Sequence, residues 1–102
     1  MASGTIPAFP MLRKAPNYAT AYANAKSVLV FVLTHSNGQD NWVQVIPKVA
    51  IKTTNTNWIM GNAYSSSSLN HVQTTVSTTA CTMRRFFNST LQTGDTVTYY
   101  YL

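Results

Sequence analysis

From residue 27 onward, short β-branched or apolar runs alternate with clusters of Asn, Gly, Ser and Thr. That is the rhythm of strands and turns. Ser27 to Thr34 (SVLVFVLT) is apolar at successive positions without alternation, so it predicts a central strand buried on both faces. The next segment, 35–41, centres on Asn37-Gly38, the strongest short hairpin signal. Trp42 to Lys52 reads as a strand divided by Pro47, which belongs at a bulge or an edge because it cannot donate to a ladder. Residues 53–57 form a polar loop, Trp58 to Tyr64 a short strand broken at Gly61-Asn62, and 65–70 a serine-rich tip. His71 to Phe87 holds one long strand or two short ones. A turn at 91–95 then leads into Thr96 to Leu102, where Val97, Tyr99 and Tyr101 share a face opposite Thr98, Tyr100 and Leu102. About five to seven strands, roughly 8–15 residues apart, imply an all-β fold: a single small β-sandwich or jelly-roll-like domain over 27–102.

Residues 1–26 follow a different rule. Three of the four prolines, Pro7, Pro10 and Pro16, are interleaved here with Ile6, Phe9, Met11 and Leu12. Proline interrupts both helix and ladder, so the segment is expected to be an extended N-terminal arm whose apolar residues take cover on a neighbouring subunit or strap their own domain. Between Tyr18 and Ala25 two patterns compete. Ala19, Ala21, Ala23 and Ala25 alternate with polar or aromatic residues as in a strand, while Tyr18 and Tyr22 at i,i+4 with so much alanine suit a short helix. The sequence leaves both open.

Composition then narrows the chemistry. The 102 residues contain no glutamate and two aspartates, Asp40 and Asp95, both in turn settings where a short carboxylate bonds nearby backbone amides. Carboxylates are the commonest general acids, bases and hard-metal ligands, so no catalytic residue, metal ligand or cofactor is assigned. His35 and His71 fall in or beside predicted loops and read as solvated. Cys81 is the single cysteine, which excludes an internal disulfide and suits a small buried apolar residue. No nucleophile elbow, phosphate loop or C-x-x-C occurs. No basic-then-apolar leader is visible, and the longest apolar run, Val28 to Leu33, is too short to span a bilayer.

The net charge of +5 comes mainly from missing acids, since charged residues are 9% of the chain. A surface of hydroxyls and amides with few charges is weakly protected against self-association, so the chain is expected to live assembled. Two binding alternatives remain. Arg13-Lys14 and Arg84-Arg85, near Phe86, Phe87 and Tyr99 to Tyr101, would suit single-stranded nucleic acid. Against that, neighbouring strand residues face opposite sides, which turns one arginine of a pair inward or across an interface. Trp42, Trp58 and Tyr64 would suit a glycan-binding face, although tryptophan in a small sandwich usually belongs to the core.

The Thr-rich strands and Asn/Gly turns, closing on Thr93-Gly94-Asp95-Thr96-Val97-Thr98-Tyr99-Tyr100-Tyr101-Leu102, resemble small β-sandwich proteins of phage virions: tail-fibre tips, head fibres and capsid decoration subunits. The resemblance lies in style and carries no residue assignment. It implies a bacteriophage structural protein located in the virion, forming homo-oligomers, commonly trimers, fixed to other virion proteins.

Overall fold

The computed structural model describes residues 11–36, 38, 41–61, 70–88 and 90–102. Its elements are β1 (Arg13–Ala15), α1 (Tyr18–Asn24), β2 (Val28–Thr34), β3 (Asn41–Pro47), a 3-10 turn (Lys48–Ala50), β4 (Thr56–Gly61), β5 (His71–Val76), β6 (Cys81–Phe87), β7 (Thr90–Leu91) and β8 (Thr96–Tyr101). They form two four-stranded antiparallel sheets, the first ordered β1-β8-β2-β3 and the second β4-β5-β6-β7. The all-β reading holds.

β2 is interior, with β8 on one side and β3 on the other. Val28 exchanges backbone bonds with Leu102 at 3.0 Å each way, while Lys48 N–H donates to the Ser27 carbonyl across the β3 side. An antiparallel ladder alternates in this way, so Val28, Val30, Val32 and Thr34 bond toward β8, and Leu29, Phe31 and Leu33 bond toward β3. The side chains separate along the same alternation. Leu29, Phe31 and Leu33 have no exposed surface, whereas Val28 and Val32 are half-buried and Val30 is nearly covered. Pro47 ends β3 at a sheet edge, where its missing N–H costs no ladder bond. His71 to Phe87 resolves into two strands, β5 and β6. Ser77 makes the corner: its N–H donates to the Ala80 carbonyl, and its Oγ accepts from the N–H groups of Thr79 and Ala80. Gly61 closes β4 at φ +95°, and an added Cβ would lie 2.5 Å from the Asn70 carbonyl oxygen, so only glycine fits there.

Between Tyr18 and Ala25 the helix prevails. Asn17 caps it, its Oδ1 accepting from Thr20 N–H at 2.8 Å, and Pro16 precedes the cap. Tyr18, Ala21 and Ala25 turn into the core. The described part of the expected extended arm is therefore strand and helix built onto the first sheet: β1 pairs with β8, and Ala15 is buried. The reason is local. Alanine every second residue after an Asn cap costs nothing in helix propensity, and it places two tyrosines one turn apart, with ring centroids 6.1 Å apart. Of the arm's apolar residues, Met11 and Leu12 are exposed, and Ile6 and Phe9 lie outside the described residues.

One buried cluster draws on both sheets and the helix, with Leu29, Phe31, Leu33 and Ile46 from the first sheet, Val72, Val76 and Met83 from the second, and Tyr18 and Ala21 from α1. Tyr18, Phe31 and Tyr99 meet with centroids 5.8–6.0 Å apart in tilted or edge-on geometry, the arrangement that ring quadrupoles favour. Phe31 is the largest fully buried side chain. Phe31→Ala is expected to lower the unfolding free energy by about 3–5 kcal/mol in urea titrations; a loss below about 1 kcal/mol would show that β2 is not the structural centre.

Candidate functional site

Three polar contacts tie the first sheet and its helix to the second sheet. Tyr18 Oη donates to the Ser77 carbonyl at 2.6 Å. In mid-core, Thr74 Oγ1 on β5 donates to Gln44 Oε1 on β3, and both residues are buried. The third joins Arg85 on β6 to His35, just after β2, and Asp95, just before β8. Arg85 Nε donates to Asp95 Oδ2 at 3.1 Å, and Nη2 donates to Oδ1 at 3.2 Å. This is the two-pronged geometry in which guanidinium and carboxylate pair best.

His35 Nδ1 stands 2.7 Å from Asp95 Oδ1 and 2.6 Å from Arg85 Nη2. It serves one of them at a time, presenting a proton to the carboxylate or a lone pair to the guanidinium. The Arg85 and Asp95 side chains are 7% and 10% exposed, so the pair is largely out of water. Burial alone would push the Asp95 carboxyl up. Hydrogen bonds and charge from Arg85 and His35 outweigh that and hold it below its ordinary 3.8.

A cleft of about 120 Å³ opens beside this group, lined by Trp42, Asn70, Arg85, Phe86 and Phe87. Most small-molecule sites are larger, about 300–1,000 Å³, so this one suits a single small polar or ring-sized group. On the outer face of the second sheet the His71 ring stacks on Phe86 at 4.6 Å and 12°, and its buried Nδ1 has no hydrogen-bond partner among the described residues.

Several sequence expectations are relocated. His35 and His71 are not freely solvated loop residues: one is bound into an ion cluster, and the other begins β5 against an aromatic ring. The Arg84-Arg85 pair splits by strand alternation, Arg84 exposed and Arg85 buried. Arg13 and Lys14 lie on β1, opposite Tyr101 and Tyr100, so the four basic residues do not form one patch. Tyr99 and Tyr101 pack on the core and leave no tyrosine platform. Trp42 reaches the cleft, yet both it and Trp58 also pack against the core, from different sheets; Tyr64 and Asp40 lie outside the described residues. Cys81 is partly buried, and burial pushes its thiol up to about 12, leaving almost no thiolate at neutral pH. Among the described residues no group of three or more His, Cys, Asp or Glu could hold a metal ion, and no helix is long and apolar enough to cross a membrane. The meeting of His35, Arg85 and Asp95 was missed because 60 residues separate His35 from Asp95, and no local spacing encodes which turns converge.

Compared with protein-family models, curated proteins and solved structures, the chain shows no match.

The lowered carboxyl gives a pH signature. A group whose folded pKa is depressed stabilises the fold above its unfolded value, and that contribution is lost as pH falls through the folded value. Asp95→Asn strands the Arg85 guanidinium and is expected to cost about 3 kcal/mol at pH 7. The deficit should shrink toward zero as pH falls below 3.8, where the parent protonates too. Equal deficits at pH 7 and at strongly acid pH would refute this account.

Proposed function

We propose that the chain is a non-enzymatic structural subunit of a viral particle of bacteriophage type, a small β-sandwich that self-associates and docks on other virion proteins through its N-terminal segment. The observation that carries this reading is the apolar surface left uncovered on a chain poor in charge. Met11 is 76% exposed, Val43 56%, Val45 55% and Val49 93%, and Leu12 and Ile59 about half. A solitary small domain with so few charges to keep it apart would be prone to associate. The sandwich is supported by two antiparallel sheets feeding one buried cluster. The virion setting rests on the resemblance of the Thr-rich strands and Gly-Asp-Thr-Val closure to virion subunits. The non-enzymatic reading is favoured by the Cys81 thiol and by an Asp95 already committed to Arg85 and His35.

A second reading, glycan binding, draws support from the cleft, where Trp42 and Phe87 offer apolar faces and Asn70 an amide. A glycan array separates the two, since a purely structural subunit stays silent. Single-stranded nucleic acid has less support, because the basic residues are spread over several surfaces.

The test of the docking role removes residues 1–12 and keeps β1, since Ala15 is buried and paired. The shortened chain is expected to keep its β signature in far-ultraviolet circular dichroism and to lose cosedimentation with particles that bind the full chain. Undiminished binding by the shortened chain would overturn the role given to the segment.

A further inference from the structure

The two edges of the first sheet are treated differently. At one edge β1 is three residues long and carries exposed Arg13 and Lys14, the short, charged edge by which sheets avoid further pairing. At the other, β3 runs seven residues, Asn41-Trp42-Val43-Gln44-Val45-Ile46-Pro47, without a single charge. Among the described residues no strand covers its outer side.

The ladder alternation adds a second fact. Because Leu29, Phe31 and Leu33 bond with their partners Ile46, Gln44 and Trp42, the N–H and C=O groups of Val43 and Val45 point away from β2, to the open edge. The residues with outward-pointing backbone groups are also those with more than half of their surface in water. Their side chains continue an outer row with their partners Val32 and Val30, the latter opposite Tyr100.

We propose that β3 pairs antiparallel with β3 of a second copy about a two-fold axis at Gln44, making one continuous eight-stranded sheet; this rests on the assembly reading above and names its contact. In that register Val43 of each copy exchanges both backbone bonds with Val45 of the other. The Asn41 N–H meets the Pro47 carbonyl, and the missing Pro47 N–H closes the pairing at its end. Identical copies each carry +5, so they approach with least repulsion along an edge without charge. Lys48, the residue that follows β3, is turned aside: its Nζ donates to the Ala25 carbonyl at 2.8 Å and lies 4.6 Å from the Tyr22 ring centroid. The other long edge, β4, is a poorer candidate. Its outer positions are Asn57, engaged by Thr75, then Ile59, then Gly61 at its positive φ, which offers no side chain. A two-fold pair also sets the copy number at two, against the trimer implied by the resemblance.

Full-length chain should sediment as a dimer. Val43→Lys with Val45→Lys places like charges opposite one another and is expected to weaken dimerisation at least about tenfold, with the circular dichroism of the parent. Ile59→Lys should leave the dimer intact. Mixed Val43→Cys and Val45→Cys chains, their facing Cα atoms about 5.5 Å apart, should join under a short bismaleimide, whereas Val49→Cys chains should not. A trimeric mass, a dimer lost in Ile59→Lys but kept in the lysine pair, or a dimer that the β3 thiols fail to join would overturn the pairing. Binding to particles by a chain whose β3 thiols do not join sinks the pairing alone. A joined dimer that binds no particle sinks the virion reading alone.

Discussion

A guanidinium cannot be buried between two sheets without a carboxylate to receive it, and in this chain that constraint falls on Asp95. Only two side-chain carboxylates exist, and the strand carrying adjacent arginines must turn one of them inward whatever its register. Arg85 turns in and Arg84 turns out, and Asp95 at the start of β8 receives the buried one. A one-residue slip of β6 would bring Arg84 to the place of Arg85, so the carboxylate would still be met, but it would bury Thr82 in place of Met83. Such a pair adds little net stability, because desolvation offsets much of its attraction, yet removing either partner strands a buried charge.

The other two cross-sheet contacts work on the same principle at lower charge. Thr74 and Gln44 satisfy each other in mid-core, and the Tyr18 hydroxyl reaches a backbone carbonyl at the Ser77 corner. A purely apolar interface between small sheets tolerates sliding, since hydrophobic contact is non-directional. Three hydrogen-bonded contacts along it, at Tyr18, at Gln44 and at Arg85, convert that surface into a fixed register. The helix enters through the same logic: Tyr18 packs tilted and edge-on against Phe31 and Tyr99 while its hydroxyl is held, which keeps the phenol buried and its ionisation displaced upward by burial.

Much of the fold was legible wherever a local pattern has one physical solution. The strand at Val28 to Leu33, its hairpin connection to β3 and the bulge-or-edge place of Pro47 all follow from side-chain period and backbone donors, although Val28 and Val32 are half-buried where burial on both faces was expected. So does the splitting of Arg84 from Arg85. The helix at Tyr18 was ambiguous because alternate alanines satisfy both periods, and the choice was made by the Asn17 cap and by tertiary burial of Ala21. The ion cluster was illegible for a different reason. His35 and Asp95 occupy polar turns that look alike in sequence, and only the placement of β8 beside β2 brings them within 2.7 Å.

That placement has a consequence for how the chain reaches its structure. β3 reaches β2 through a short hairpin, but β8 follows every other strand in sequence and must be inserted between β1 and β2. Until it arrives, the backbone groups of Val28, Val30, Val32 and Thr34 face water, and β1 has nothing to pair with. The second sheet, made of successive neighbours in sequence, can close early. The first waits on a long loop closure, the slow kind of event in folding. During that wait β2 keeps one open, uncharged edge, the kind of surface prone to capture by another chain. The strand order thus sets the arrival of β8 against capture of the open β2 edge by another chain, a competition in which higher chain concentration favours capture.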